Sequence, residues 1–249
     1  MPAGPGEPAS DAREVVANAT EACRSITTLS AEVGVSGKVD RQRLRGRLLV
    51  GVAAPASARL EAVAPFGAPL FILAAVQNDA TMLLPRDNRV LEHGHPDQIL
   101  AALTGVPLDA EELRITLTGC WNANPRVQLA RQYGPDWREI HVEPDHVLVL
   151  HRQGASGPWR LVGVTHNIEQ SGRRWTAAYR DFQNDLPRSV RIASADSERA
   201  GTFDLTLTLS QTETNVPLGP EVFRVEIPRS AEPITLDELR HARPGIRKN

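Results

Sequence analysis

The sequence predicts a mainly β protein of α+β type, with antiparallel strands and short helices. Three observations predict it. Apolar and polar residues alternate through many short segments, as strands with one wet face require. Gly, Pro, Asn and Asp interrupt those segments at short intervals, marking turns. No long helical period separates one strand from the next, which disfavours a parallel sheet of strand-helix-strand units. Aromatic residues are only 4% of the chain, so any core or cavity is aliphatic.

The elements follow in chain order. Asp11 and Glu14 have capping-box spacing, and Val15, Ala19, Ala22 and Ile26 then recur at helical intervals, so residues 11–27 read as an amphipathic helix. From Ala31 the period changes: Leu44, Leu48, Val50 and Val52 alternate with Arg45, Arg47 and Gly51, although Leu49 breaks the polar face. Arg59-Leu60-Glu61-Ala62 continues the alternation. It stops at Ala64-Pro65-Phe66-Gly67-Ala68-Pro69, because such a Pro/Gly cluster cannot maintain a central ladder, and this loop presents Phe66, either tucked back on the barrel or as an apolar tip for a bilayer or an acyl chain. Residues 70–76 are apolar on both faces, which leaves their register open. Asn78-Asp79 then turns the chain into two short strands over 81–84 and 89–93.

Pro96 suits the first turn of a helix over 97–103 that Gly105 ends, and Asp109 with Glu112 starts another carrying Leu113 and Leu117. Neither helix is long enough to stand alone, so both must lie against the sheet or over its mouth. Strands resume at 127–133, 137–142, 146–151, 159–165, 175–179, 189–193, 203–210 and 222–227. In the last two, Leu205, Leu207 and Leu209 alternate with Asp204, Thr206 and Thr208, and Phe223, Val225 and Ile227 with Arg224 and Glu226. Residues 235–240 form a final helical turn before a basic, frayed tail at 241–249.

Charge and composition exclude several classes. The formal net charge is -2, without the basic balance of a nucleic-acid binder or an electrostatic membrane anchor, so any membrane contact is expected to be mainly apolar. No apolar run approaches the ~18 residues of a membrane-spanning helix, and the chain as given is expected to be soluble. Cys23 and Cys120 form either one disulfide or two buried thiols.

Chemistry-bearing motifs are sparse. His93 and His95 flank Gly94 on one side of an extended segment, but no Cys or further His lies close in sequence to complete a metal site, and none is expected. His141, His146 and His151 are spaced by five, which puts neighbours on opposite faces of a strand, so they read as strand-end residues. Gly154-Ala155-Ser156-Gly157 reads as a polar hairpin loop and not a nucleophile elbow. No phosphate-binding or dinucleotide fingerprint occurs, and Glu111-Glu112 reads as the acidic first turn of a helix. We therefore expect no catalytic residues, no cofactor and no enzyme.

Arg59-Leu60-Glu61, Pro65-Phe66-Gly67, Leu83-Leu84-Pro85 and Leu103-Thr104-Gly105-Val106-Pro107-Leu108, running through Leu113 to Gly119, occur in an order and spacing that resembles the LolA/LolB superfamily of bacterial lipoprotein carriers, closest to LolB-like outer-membrane lipoproteins. The resemblance covers about residues 13–120, and the remainder agrees in strand rhythm only. It implies a curved, antiparallel, unclosed β-barrel with short helices lining or covering its concave face around an aliphatic cavity. In LolB-like proteins the corresponding loop carries a protruding apolar residue that helps place the incoming lipoprotein in the membrane, and Phe66 holds that position here. Two departures are the missing lipid-bearing cysteine near the start and a longer C-terminal half.

The expectation that follows is non-enzymatic binding of acyl chains of a lipoprotein or lipid, and their delivery to a bacterial envelope membrane. The alternative is an envelope sensor or structural adaptor on the same fold. Leu48, Val50, Leu60, Leu70, Ile72 and Leu84 are the expected cavity residues, and Pro65, Phe66 and Gly67 the protruding loop. Partners are acyl chains and a membrane surface, not nucleic acid, and the protein is expected to be a monomer. Residues 1–10, rich in Pro, Gly and Ala, read as a flexible tether. That composition suits a chain beginning just after a lipoprotein signal and its acylated cysteine, on the periplasmic face of the outer membrane; a frayed start of a cytoplasmic protein is the other reading. Residues 11–240 then form one half-barrel domain.

Overall fold

The computed structural model describes residues 4–40, 42–121, 124–154, 156–168, 173–194 and 202–242. In chain order its elements are β1 (Glu7–Pro8), α1 (Ala12–Ala19), β2 (Thr28–Val39), β3 (Gln42–Ala53), β4 (Ser57–Ala62), β5 (Ile72–Val76), β6 (Asp79–Leu84), β7 (Arg89–Gly94), α2 (Pro96–Thr104), α3 (Ala110–Thr118), β8 (Val127–Tyr133), β9 (Trp137–Val142), β10 (His146–His151), β11 (Arg160–Ile168), β12 (Arg173–Gln183), β13 (Leu186–Ser194), β14 (Phe203–Thr214), β15 (Glu232–Pro233) and α4 (Leu236–Ala242). The fold class is the expected one: mainly β, with short helices. Contacts divide the chain into two compact units. One holds Met1–Ser25 and Thr118–Arg199; the other holds Ile26–Leu117 and Ala200–Asn249.

The first unit runs β1-β8-β9-β10-β11-β12-β13, antiparallel throughout its described pairings. Ile140, Leu148, Val164, Ala177 and Ile192 lie in one cross-strand row and are buried. Helix α1 lies on β8 and β10 and buries Ala12, Val15 and Val16. It ends at Ala19, well short of the expected residue 27. The Thr20 hydroxyl bonds back to the Val16 carbonyl (2.9 Å), satisfying a terminal acceptor, and turns follow. The expected Asp11 cap is also absent. Its carboxylate instead takes Arg138 Nε (2.9 Å) and Nη2 (2.8 Å), and this hydrogen bonding holds the Asp11 carboxyl below its usual range. Cys23 and Cys120 are joined by a disulfide, resolving the alternative left open by the sequence.

The second unit runs β14-β2-β3-β4-β5-β6-β7-β15, antiparallel except for the short parallel pair β7–β15. Among the described residues the terminal strands of neither run pair with each other, so neither ladder closes. Helix α3 begins with the predicted capping box: Asp109 Oδ1 accepts from the Glu112 N–H (2.8 Å) and Glu112 Oε2 from the Asp109 N–H (2.9 Å). Thr235 and Glu238 repeat the motif at α4.

Three expectations fail at the margins. Residues 222–227 are not a strand. Pro220 opens a single 3-10 turn (Pro220–Phe223), and Arg59 donates to the carbonyls of Val222 (3.2 Å) and Arg224 (2.9 Å), so side-chain bonds replace a ladder. Residues 7–8, expected in a flexible tether, pair with Gln132 and Arg131 as an edge strand, where proline is tolerated. His241 and Ala242, assigned to the tail, close α4; residues 243–249 lie outside the described residues, as do 1–3 of the tether.

Candidate functional site

The β4–β5 loop is built by the ladder beneath it. Ala62 pairs with Leu48, the Val63 N–H donates to the Arg47 carbonyl (2.8 Å), and the Leu70 N–H donates to the Ala62 carbonyl (2.9 Å). The chain therefore leaves and rejoins the sheet at one point. Gly67 has φ +76, with open space where a Cβ would stand, so glycine answers the backbone and not crowding. Arg86, in the turn after β6, donates Nε to the Ala68 carbonyl (3.0 Å) and Nη2 to the Phe66 carbonyl. Held through its backbone, the loop leaves Phe66 88% exposed; among the described residues no other exposed large apolar residue exceeds 48%.

Behind the loop lies an aliphatic face. Val50, Leu60, Leu73 and Met82 follow one another across β3, β4, β5 and β6, and all are buried. By strand alternation Leu48 and Leu84 share this face. Ile72 does not. It pairs with Glu61 and Leu83 in the adjacent row, so Leu73 takes the place expected of Ile72. The error has a plain cause: with both faces of 70–76 apolar, nothing in the sequence sets parity, and a one-residue slip exchanges faces. Leu70 lies outside β5 and is half-buried, as is Leu48.

Helix α2 covers part of the face. Its capping Gly105 has φ +79, and a Cβ there would come within 2.8 Å of Val39 Cγ1 on β2, so only glycine lets the helix end settle against the strand. Ile99, Leu100 and Leu103 of α2 are buried, as are Val106 and Leu108 beyond it and Leu113 and Leu117 of α3. Burial pushes the Glu112 carboxyl up to about 7 despite its bond from the Asp109 N–H. The face itself consists of Ala, Val, Leu and Met. It is suited to hydrocarbon and supplies no polar group that would select a headgroup.

The first unit carries different chemistry. His146, His166 and Trp175 occupy one cross-strand row; His166 stacks on Trp175 (centroids 3.8 Å, planes 4° apart) and meets His146 (4.9 Å) and Trp121 (5.7 Å) edge-on. Neither His166 ring nitrogen has a hydrogen-bond partner, and burial drives its pKa down to about 3. His146 was expected only as a strand-end residue, and His166 and Trp175 carried no sequence signal, because register alone brings them together. A pocket of about 260 Å³ opens between the end of α1 and Trp159, Arg160, Phe182 and Asp185, beside Cys23; none of the six expected cavity residues lines it.

The remaining histidines are dispersed. His93 meets Asp79 (3.2 Å), His95 precedes α2, His141 meets Glu139 (2.9 Å), and His151 lies against Trp137. Among the described residues no group of three or more His, Cys, Asp or Glu could hold a metal. The 154–157 loop turns through a Gly157 N–H bond to the Gly154 carbonyl, with Ala155 outside the described residues.

No family model matches the sequence, and no curated protein is similar to it. Solved structures do share the fold. A LolA superfamily protein from Nitrosomonas europaea aligns with TM-score 0.60 at 14% identity, over 86% of this chain and 97% of that one. A DUF1329 family protein from Desulfovibrio piger aligns with TM-score 0.54 at 10% identity, over 86% and 96%. A candidate outer membrane lipoprotein-sorting protein domain from Vibrio parahaemolyticus gives 0.51 at 12% identity, over 85% and 97%. At these identities the likeness establishes a LolA-like fold.

Proposed function

We propose that this chain binds acyl chains of a lipoprotein or lipid on the aliphatic face of its second unit and delivers them to a bacterial envelope membrane, without covalent chemistry. The observation that carries the reading is Phe66: a bulky apolar ring left 88% exposed on a loop whose backbone is braced by Arg86. A single apolar residue on a surface is ordinary in itself; this one is set apart because Arg86 binds the loop backbone and leaves the side chain in water. The LolA-like fold supports the same reading, and the role given to Phe66 is the LolB-like one. The disulfide suits an oxidising compartment such as the periplasm.

Binding requires movement. Val50, Leu60 and Leu84 are 4%, 3% and 1% exposed, so they act as core until α2 or α3 swings away. Helices of nine residues, held by apolar contact, are the elements to do so. The gain is sufficient: at about 0.8 kcal/mol per buried CH₂, half of a ~15-carbon chain contributes roughly 6 kcal/mol before ordering costs. The same burial favours the second reading, a filled barrel serving as an envelope sensor or adaptor. Mass spectrometry of organic extracts of the purified protein separates them: co-purified lipid supports the carrier, and none supports the adaptor. Phe66→Glu should impair delivery to acceptor vesicles while folding and cargo loading persist; wild-type transfer by that variant rejects the role of the ring.

A further inference from the structure

The β2–β3 hairpin runs past the end of β4. The last described β3–β4 pair is Leu48 with Ala62, while β2 and β3 continue pairing to Val39 and Gln42. At about 3.4 Å per residue, the hairpin outreaches β4 by roughly 20 Å. The Phe66 loop leaves the sheet at this same end, because the Val63 N–H bonds to Arg47. Arg86 joins them there through its bonds to the loop.

Beyond that point β3 carries Arg43, Arg45 and Arg47 at alternate positions, hence on one face. All three are exposed, opposite Lys38, Ser36 and Gly34 of β2. Neighbouring acids offset only part of the charge. Glu32 pairs with Arg47 (3.3 Å) and Asp204 lies across from Lys38, while Arg43 and Arg45 have no ion-pair partner among the described residues. Exposed arginines at two-residue spacing add little to the stability of a strand, and β-branched residues would serve better there. Net charge hides this stripe, since the whole chain is slightly acidic.

We propose that Arg43, Arg45 and Arg47, together with Lys38, form an electrostatic docking surface for an anionic phospholipid bilayer, set at the same end of the unit as the apolar Phe66 tip. Basic side chains attract the headgroups and an apolar ring enters between them, which is the pairing of two weak signals that stable peripheral binding requires. It adds a charged component to the mainly apolar membrane contact expected from the sequence. It deepens the delivery reading, on which it rests for the role of Phe66, by naming the chemistry of the acceptor surface.

The test is vesicle flotation of the full chain with phosphatidylcholine alone and with phosphatidylcholine mixed with phosphatidylglycerol. Wild type should prefer the anionic vesicles and lose that preference as salt rises. The double variant Arg43→Gln/Arg45→Gln should bind them about thirtyfold more weakly, roughly fivefold per arginine, with co-purified lipid unchanged. Equal binding of wild type to both vesicle types, or undiminished binding by the double variant, overturns the proposal. Arginine-dependent binding to heparin with none to vesicles assigns the stripe to an acidic polymer and also overturns it. Absence of co-purified lipid from wild type counts against the carrier reading and leaves the vesicle result intact, so the two can fail separately.

Discussion

The two units solve the same sheet problem with different side chains. All four tryptophans (Trp121, Trp137, Trp159, Trp175), both tyrosines and both cysteines fall in the first, while the second buries mainly aliphatic side chains, joined by Phe71, Phe203 and Phe223. The first holds its helix with a disulfide, the Asp11–Arg138 pair and two arginines stacked about 5 Å from the Trp159 ring. The second holds α2 with apolar contact and the close fit at Gly105. Cross-links and directional bonds fix a geometry, whereas aliphatic contact can be exchanged for a ligand's hydrocarbon at little net cost. Under the proposed function, the contrast matches a fixed first unit with a second unit whose contacts a ligand's hydrocarbon could replace.

The largest effect should come from the cross-link. Cys23→Ser/Cys120→Ser opens a closure spanning 97 residues and should cost about 2–5 kcal/mol. Since every tryptophan lies in the first unit, fluorescence-detected urea unfolding reads that unit directly. An unmoved fluorescence midpoint would mean that the bridge is not what secures this unit.

Next comes the face assignment in β5. Leu73→Ala should cost about 2–5 kcal/mol, as a fully buried truncation, and Ile72→Ala much less, because Ile72 is only half-buried. The two variants are compared by urea unfolding followed by far-ultraviolet circular dichroism. Equal costs would return Ile72 to the core and undo the register argument.

That pair also marks how far the sequence could be read. Strands 137–142 and 146–151 were legible to the residue, because one wetter and one drier face fix the period; 127–133 matches in its bounds, although its burial does not alternate. The Asp109–Glu112 cap was legible because both partners are local. Residues 70–76 were not, since apolar residues on both faces carry no parity. Residues 222–227 misled: Phe223, Val225 and Ile227 alternate correctly, but Pro220 and the bonds from Arg59, far away in sequence, decide the outcome. Of the candidate site, Phe66 was visible as a loop residue, while its 88% exposure depends on Arg86 drawing the backbone and not the ring toward the sheet. The imidazole pair was invisible, because pairing across β10, β11 and β12 has no signature in spacing.

The smallest of the three effects tests whether the first unit carries a weakness that the second lacks. His166 is 3% exposed, both its ring nitrogens lack partners, and its pKa falls to about 3 in the folded state against 6.5 for the free side chain. Between those values the unfolded chain binds the proton and the folded one does not, so stability is complete above pH 6.5 and declines as pH falls. Down to pH 5 the loss is about 2 kcal/mol, following 1.36 kcal/mol for each unit. Burial lowers the pKa of neighbouring His146 as well, which adds a slope of the same sign. His166→Phe keeps a ring against Trp175 and removes two unpartnered nitrogens, so the variant should be at least as stable at neutral pH and lose most of the decline. Fluorescence-detected unfolding at pH 8 and pH 5 measures both. A wild-type decline that His166→Phe leaves intact would move the acid sensitivity elsewhere, and the aliphatic face, which has no imidazole to protonate, would no longer be the more acid-tolerant of the two.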